Sequence, residues 1–263
     1  MPRVTVVGAT GPVGATLVRQ LHERGDEVIA MGRDADRLAE LVDCETRLAD
    51  LNDAATLKSA LADAELVAVC ANAIRLPEVL GALPADGIER LVAMGSTRRF
   101  SAVPDETATA VRDAEIALAR LPFPSVMLLA TMIYGTGRSV FDQLARFLLV
   151  PAPSRVEVQP IHVEDVARCL VAALFRPEAP GPPIVIAGPE AIGYGDGVRR
   201  VARHRARRTL VLPVPRSLLD RAGRVIGGGK GMALRRLAEN KTFEIADMRR
   251  RLGIEPRPFD PAA

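Results

Sequence analysis

The chain has 263 residues, of which 48% are hydrophobic, and its 35 basic and 32 acidic residues give a formal net charge of +3 at pH 7. A chain of this size can bury one large core, and the near balance of charge does not predict a nucleic-acid partner. Its apolar runs are too short to cross a membrane and its start lacks a signal-like pattern, so we expect a cytoplasmic protein. Three widely separated cysteines, without CxxC spacing, predict neither a disulfide framework nor a metal site.

A glycine-rich turn at residues 4–14 is the most informative stretch, with the sequence Val-Thr-Val-Val-Gly-Ala-Thr-Gly-Pro-Val-Gly. Gly8 permits a tight turn off a strand, Gly11 lets the backbone approach a phosphate, and Gly14 lets the next helix pack closely. Pro12 favours a helix start, where free N–H groups and the helix dipole face an anion. Because a second strand follows at βαβ distance, the pattern predicts dinucleotide binding; a purely structural turn is the alternative.

Strand-like and helix-like segments alternate through the first two-thirds of the chain. The predicted strands are 3–8, 27–31, 65–70, 89–95 and 125–130, with a short strand that ends at 48–51. The predicted helices are 12–24, 34–42, 53–62, 76–83, 105–120 and 139–149. This alternation predicts an α/β fold with a doubly wound parallel sheet that is covered on both faces. Ligands of such sheets bind at the carboxyl ends of the strands.

The pattern changes after Pro151. We expect a strand at 156–161, a helix at 163–175, a strand at 184–187 and then less regular helices. The predicted units are a cofactor-binding core at 1–187, a small substrate lobe at 188–240 and a tail at 241–263 that packs back on the core. A basic segment at 198–208 is interpreted as a solvated helix face, with an anionic substrate tail or nucleic acid as alternatives.

The end of the second predicted strand indicates which cofactor is preferred. An acidic residue there would bind the adenosine 2′-hydroxyl of NAD(H), whereas Arg33 suits the 2′-phosphate of NADP(H). Asp34 follows directly and can still turn inward. We therefore expect NADP(H), with NAD(H) as the alternative.

Residues that follow the other strands complete the predicted cofactor site. Asp50 is expected to accept from the adenine amino group, because Asn52 or Asp53 is better placed to cap the next helix. Further predicted cofactor contacts are Thr10, Val13, Leu51, Ala71, Asn72, Ala73 and Thr131.

Five motifs occur in one order along the chain: the glycine turn 8–14, Ala-Asp-Leu at 49–51, Ala-Met-Gly-Ser-Thr at 93–97, Ile-Tyr-Gly-Thr-Gly at 133–137 and Ile-His-Val-Glu-Asp-Val-Ala at 161–167. Together they resemble an extended or atypical short-chain dehydrogenase/reductase of the NAD(P)-dependent epimerase/dehydratase kind. The resemblance covers roughly residues 1–175. It implies a Rossmann core, a bound nicotinamide nucleotide, a small-molecule substrate such as a nucleotide sugar or carbonyl compound, and pairing into a homodimer.

The pair that carries chemistry in that family is absent from this chain. The family uses Tyr-xxx-Lys on the helix after the serine-bearing strand, where the lysine lowers the tyrosine pKa and the phenol exchanges a proton with substrate. The matching positions here are Ala108 and Arg112. No register of helix 105–120 restores the pair, since residues 59–229 contain no lysine. Arg112 remains a candidate for binding ribose or phosphate, although a guanidinium is a poor proton donor.

Three other residues are candidates for the missing chemistry. Ser96 and Thr97 stand where the family has a serine or threonine that contacts a substrate carbonyl, although either can also serve as a strand-end turn residue. Tyr134 follows the sixth strand at the mouth of the crevice, where it could contact substrate. The alternative is that its side chain only packs in the core. His162 is interpreted as structural, and Glu164 and Asp165 as residues whose carboxylates meet the free amides of helix 163–175.

Two functions follow from these residues. The first is an NADP(H)-dependent oxidoreductase or epimerase with a nonstandard active site that acts on a carbonyl or sugar-type molecule. The second is a catalytically silent sensor or regulatory protein that binds NAD(P)(H), as the NmrA-like branch does.

Overall fold

A computed structural model of the chain describes residues 3–103 and 105–262. Its strands are β1 (Arg3–Val7), β2 (Glu27–Gly32), β3 (Glu45–Leu48), β4 (Leu66–Val69), β5 (Arg90–Ser96), β6 (Ser125–Ala130), β7 (Ile133–Tyr134), β8 (Leu149–Ser154), β9 (Glu157–Val158), β10 (Ile161–His162), β11 (Ile184–Ile186), β12 (Ile192–Gly193) and β13 (Leu210–Pro215). Its α-helices are α1 (Pro12–Arg24), α2 (Ala35–Ala39), α3 (Ala54–Leu61), α4 (Leu76–Ala82), α5 (Glu106–Leu118), α6 (Val140–Leu144), α7 (Val163–Phe175), α8 (Tyr194–His204), α9 (Arg216–Ile226) and α10 (Gly228–Leu237). Residues 1, 2, 104 and 263 of the predicted core and tail lie outside the described residues.

Seven of the described strands form one parallel sheet in the order β11-β6-β5-β4-β1-β2-β3. Strand β1 pairs with both β2 and β4, so the direction in which strands are added reverses at β1. Parallel sheets open a crevice beyond the carboxyl ends of the strands at such a reversal. The predicted doubly wound α/β fold is confirmed.

The central strands are buried on both faces. Leu66 and Ala68 of β4 belong to the same apolar cluster as the inner faces of α1 and α7. Val67 and Val69 belong to the opposite cluster, which includes the inner faces of α3, α4 and α5. Burial of an aliphatic side chain of this size stabilises the fold by about 1.5–3 kcal/mol. The continuous apolar run therefore reflects a strand between two helical layers.

The second half of the predicted helix 139–149 is wrong. Helix α6 ends at Leu144, and β8 follows, paired in parallel with β13. Pro151 and Pro153 lack N–H groups, which confines such a strand to a two-stranded sheet outside the central one. The pairing also joins the predicted core at 1–187 to the predicted lobe at 188–240.

The basic segment lies largely on α8. Val198 and Val201 are buried beneath it, whereas Arg199 is exposed and pairs with Asp196 at 2.6 Å. This arrangement is the solvated helix face that the apolar spacing predicts.

The C-terminal segment packs on the core through a buried arginine. The Arg251 guanidinium donates to the carbonyl oxygens of four residues near β11: Glu178, Ala179, Pro180 and Pro182. These bonds satisfy the donors of Arg251, which is only 6% exposed. The segment after α10 is therefore held against the sheet.

Candidate cofactor and substrate site

The glycine turn connects β1 to α1 with no room for side chains at two positions. Gly8 has φ +81°, and a Cβ on it would lie 3.1 Å from the amide nitrogen of Ala71. A Cβ on Gly14 would lie 2.2 Å from the carbonyl oxygen of Gly8. Only glycine fits at both positions. No side chain covers the backbone of the resulting turn at these two positions, as close approach by a phosphate requires.

Helix α1 begins at this turn without a side-chain cap. Gly11 is its N-cap and Pro12 its first residue, and no acidic residue lies in the first turn. The free N–H groups and the positive end of the helix dipole are therefore available to an anion. A pyrophosphate is the anion that suits a βαβ turn of this kind.

A cavity of about 220 Å³ adjoins the turn on the side of β2. Its walls come from the carboxyl ends of β1 and β2 and from the segments after β3 and β4: Val7, Gly8, Thr10, Met31, Gly32, Arg33, Ala49, Asp50, Leu51, Asn52 and Arg75. Its position and size suit the adenosine end of a dinucleotide.

A second cavity of about 720 Å³ lies at the carboxyl ends of β5 and β6. Ser96, Thr97 and Thr131 line it from the sheet side, and Tyr194 and residues 236–241 line it from the opposite side. Both cavities lie at the same edge of the sheet. The arrangement can place a nucleotide across the crevice with its far end in the larger cavity.

Comparisons with known proteins agree with this geometry. Residues 8–119 match the family model described as NAD(P)H-binding. These residues form an NAD(P)H-binding domain. This match agrees with the nicotinamide-nucleotide binding that the predicted resemblance to a short-chain dehydrogenase/reductase implies.

Two solved structures and one curated relative illustrate the similarity. A nucleoside-diphosphate-sugar epimerase from Pseudomonas aeruginosa superposes with a TM-score of 0.79 at 20% identity, covering 99% of this chain and 94% of the other. The NADPH complex of the quinone oxidoreductase QOR2 from Escherichia coli superposes with a TM-score of 0.76 at 15% identity, covering 97% and 96%. An uncharacterized protein of Mycobacterium tuberculosis H37Rv is 28% identical over 222 residues, which cover 76% of this chain. The chain spans only 23% of the length of that relative.

Basic residues lie beside the smaller cavity. Arg33 is exposed and lines the smaller cavity, as predicted for a residue at this strand end. The Asp34 carboxylate accepts from the Arg37 N–H at 3.2 Å and so caps α2. The Arg37 guanidinium donates to the carbonyl oxygen of Thr10 in the glycine turn. Sequence reasoning missed Arg37, because its approach to the turn depends on the short helix α2.

Asp50 lines the same cavity just beyond the end of β3. Its Oδ1 accepts from both the backbone N–H and the side-chain amide of Asn52, at 2.9 and 2.8 Å. These bonds, with Arg33 and Arg75 nearby, lower the pKa of the Asp50 carboxyl. Asp53 caps α3, as one of the two predicted choices. Asp50 therefore stays ionised, with its adenine contact still a prediction.

The other predicted contacts lie near the crevice. Ala71 adjoins Gly8, and the Asn72 Oδ1 accepts from the Ile74 N–H at 3.2 Å. Ala73 is buried against the α3 and α4 layer, and Val13 packs on the opposite cluster. Leu51 and Thr10 line the smaller cavity. Their contacts with the nucleotide stay predictions.

Ser96 and Thr97 line the larger cavity and also hold the local turn. The Ser96 Oγ accepts from the Arg98 N–H at 3.2 Å, and the buried Thr97 hydroxyl donates to the carbonyl oxygen of Ala130 at 3.3 Å. Both hydroxyls therefore have structural partners as well as a position in the wall. A catalytic role for them stays a prediction.

Tyr134 and Arg112 lie apart from the described lining of the larger cavity. The Tyr134 hydroxyl donates to the Pro258 carbonyl oxygen at 3.0 Å and accepts from the Asp260 N–H at 3.3 Å. Burial raises the pKa of this phenol. The exposed Arg112 donates to the carbonyl oxygen of Arg99 at 2.8 Å. The structure does not bring these two predicted residues together with Ser96.

The prediction that the Glu164 and Asp165 carboxylates meet the free amides of α7 is wrong. His162 is the cap, and its Nδ1 accepts from the Glu164 N–H at 3.2 Å. The Glu164 carboxylate instead pairs with Arg19 on α1 at 2.5 Å. The Asp165 carboxylate, fully buried, accepts from the Arg257 N–H at 2.9 Å. The two carboxylates thus join α7 to neighbouring segments, because the histidine already occupies the cap.

Two kinds of feature are absent from the part of the chain that the structure describes. No helix in residues 3–103 and 105–262 is long and apolar enough to span a membrane. The same residues contain no cluster of histidine, cysteine and carboxylate side chains that could hold a metal ion.

Proposed function

We propose that the protein is an NADP(H)-dependent oxidoreductase or epimerase that acts on a carbonyl or sugar-type small molecule. The observation that carries this proposal is the cavity of about 720 Å³ at the carboxyl ends of β5 and β6. Its volume lies within the range of about 300–1,000 Å³ that is typical of small-molecule sites. We infer that this cavity takes the nicotinamide end of the nucleotide together with a small-molecule substrate.

The residues present fit a dinucleotide phosphate. The bare turn at Gly8 and Gly14 and the uncapped start of α1 would hold the pyrophosphate. Arg33 and Arg37 would face an adenosine 2′-phosphate, while Asp34 is engaged in capping α2. This distribution of charge supports NADP(H) over NAD(H).

The larger cavity provides groups for a substrate oxygen. A bound nicotinamide supplies or accepts a hydride. Ser96 and Thr97 would place hydroxyl groups against the substrate carbonyl, and Thr131 fixes the end of β6 by donating to the Gln159 carbonyl oxygen at 2.5 Å. The walls from the C-terminal lobe would exclude water from the reacting atoms.

The test combines binding with turnover. Calorimetric titration with NADPH and NADH measures cofactor affinity, and loss of reduced-nicotinamide absorbance is followed with methylglyoxal and menadione. Interconversion of UDP-glucose with its epimer is followed by chromatography. We expect tight NADPH binding and turnover of at least one of these compounds.

A catalytically silent sensor is the second candidate, since Ala108 and Arg112 occupy the positions of the family's Tyr-xxx-Lys pair. Ala108 is buried on α5, so no proton donor reaches the crevice from that position. This candidate predicts equally tight NADPH binding with no turnover of any compound in the panel.

A further inference from the structure

Lys241 lies in the wall of the larger cavity, together with Ser96, Thr97 and Thr131. It follows α10 in sequence, within the segment predicted to pack back on the core. The family's motif places a lysine only on the helix at 105–120. The fold instead brings a lysine to the substrate cavity from the C-terminal part of the chain.

The segment around Lys241 is held in place by backbone hydrogen bonds to β9 and its surroundings. The Lys241 N–H donates to the Glu157 carbonyl oxygen at 2.9 Å, and the Glu157 N–H donates to the Asn240 side chain at 3.1 Å. The Phe243 N–H donates to Oε1 of the buried Gln159 at 2.8 Å. The Gln159 carbonyl oxygen also accepts from Thr131 at the end of β6. Lys241 therefore lies on a segment that hydrogen bonds hold against β9 and Gln159.

The side chain of Lys241 is not used to hold the fold. Among the described residues, none forms a hydrogen bond or ion pair with its ammonium group. Its charged neighbours are engaged: the Glu239 carboxylate accepts from the Ser101 hydroxyl at 2.7 Å, and Arg236 pairs with Asp105 at 2.6 Å. A half-buried cation without a partner, in the wall of a large cavity, is available to a ligand.

We propose that Lys241 exchanges the proton with the substrate oxygen in this cavity, in place of the phenol that α5 lacks. The inference rests on the proposed function. In reduction, the carbonyl carbon gains a hydride from NADPH, the C=O π pair moves to oxygen, and that oxygen takes a proton from the ammonium. Lys241 becomes a neutral amine and regains its proton from water. In oxidation, the neutral amine removes the hydroxyl proton, the O–H electron pair forms the C=O π bond, and hydride passes from carbon to NADP⁺.

The surrounding charges favour such an exchange. Burial lowers the pKa of Lys241, Glu239 opposes this effect, and Arg98 and Arg236 add to it. Arg216 lines the same cavity, and the side chain of Glu157 on β9 is exposed. A pKa closer to the working pH makes an amine a better general acid and base.

Charge and proton transfer can be separated with two variants. Lys241→Met removes both, whereas Lys241→Arg keeps the charge but not an acid that works near neutral pH. With methylglyoxal and menadione as probes, we expect both variants to lower kcat by about 10²–10⁴-fold, with smaller changes in KM. Lys58→Met and Lys230→Met are matched controls, since both lysines are exposed, and we expect them to leave kcat unchanged. Recovery of kcat in Lys241→Arg would show that charge alone is needed and would overturn the proposal.

A second readout does not depend on turnover. The chain has three lysines, so reductive methylation with ¹³C-formaldehyde gives three assignable side-chain signals, and the three Met variants assign them. We expect the Lys241 signal to titrate at a lower pH than those of Lys58 and Lys230. Coincident titration of all three signals would contradict the proposal. Thermal unfolding of each variant tests whether the fold is retained.

The outcomes distinguish this inference from the function on which it rests. If the wild type binds NADPH but turns over none of the compounds, the proposed function is wrong and the proton exchange falls with it. If the wild type turns over a probe and Lys241→Met does so equally well, only the role of Lys241 is wrong.

Discussion

Gly14 lies so close to Gly8 that a Cβ atom on it would stand 2.2 Å from the Gly8 carbonyl oxygen. Gly14→Ala should therefore force the turn and α1 apart and destabilise the protein by about 1–3 kcal/mol. Gly81→Ala is the matched control, since a Cβ there meets no atom within 4 Å and the residue lies in α4. Urea unfolding of both variants measures the difference. Equal stability of the two would mean that the turn is not closely packed.

A charge at the start of α1 should weaken cofactor binding without harming the helix. Gly11→Asp places a carboxylate where we expect the pyrophosphate, so NADPH affinity should fall at least about tenfold. A Cβ at this position meets only the Gly8 carbonyl oxygen, at 3.4 Å, which makes Gly11→Ala a steric control. Aspartate is a favourable N-cap, so the unfolding temperature of Gly11→Asp should equal that of the wild type. If Gly11→Asp bound NADPH with unchanged affinity by calorimetry, the pyrophosphate would not bind at this turn.

The arginines beside the smaller cavity should set the choice of nucleotide. Arg33→Ala should raise the Kd for NADPH by about tenfold or more and change that for NADH little, since charged hydrogen bonds contribute about 1.5–3 kcal/mol. Arg37→Ala also removes the hydrogen bond to Thr10 in the glycine turn, so it should weaken the binding of both nucleotides and that of NADPH more. Arg120→Ala is a control at an exposed site far along the chain. Parallel losses for both nucleotides would argue against a 2′-phosphate contact.

Tyr134 should affect stability more than chemistry. Tyr134→Phe removes the hydroxyl that links β7 to Pro258 and Asp260, which should cost about 1 kcal/mol in the free energy of unfolding. Turnover per folded molecule should be retained. If turnover instead fell by about two orders of magnitude, as expected for loss of a general acid, the phenol would belong to the active site.

The ion pair between Arg47 and Asp63 should contribute to acid unfolding. The hydrogen bonds from Arg47 lower the Asp63 pKa to about 2, below its value in an unfolded chain. The stabilisation is therefore fully present above the unfolded pKa of about 3.9 and is lost as the pH falls toward 2. Asp63→Asn should flatten the decline in stability across this window. Chemical unfolding at successive pH values, compared with the wild type, provides the measurement.

The sequence predicted the central sheet well because its determinants are local. The unbroken apolar run of β4 and the glycine turn at residues 8–14 each specify structure within a few residues. The pairing of β8 with β13 could not be predicted in the same way, since two proline-containing segments about 60 residues apart find each other only in the folded chain.

The residues of the candidate site also differ in whether local sequence could predict their positions. Arg33 and Asp50 follow strands and could be placed from the topology. Hydrogen bonds to β9 and Gln159 position the segment that carries Lys241 at the larger cavity. No spacing in the sequence predicts those contacts. Residues that a fold gathers from distant segments need the three-dimensional arrangement to be recognised.

Gln159 uses both ends of its amide: its oxygen accepts from Phe243, and its nitrogen donates to the Gly188 carbonyl oxygen at 2.7 Å. A glutamate has the same shape but no donor, so it would set an anionic oxygen against that carbonyl. Deamidation of this single side chain would thus weaken the contact between the segment after β9 and Gly188, which follows β11. Since the same side chain accepts from Phe243, which lines the larger cavity, a chemical change outside that cavity would disturb its wall.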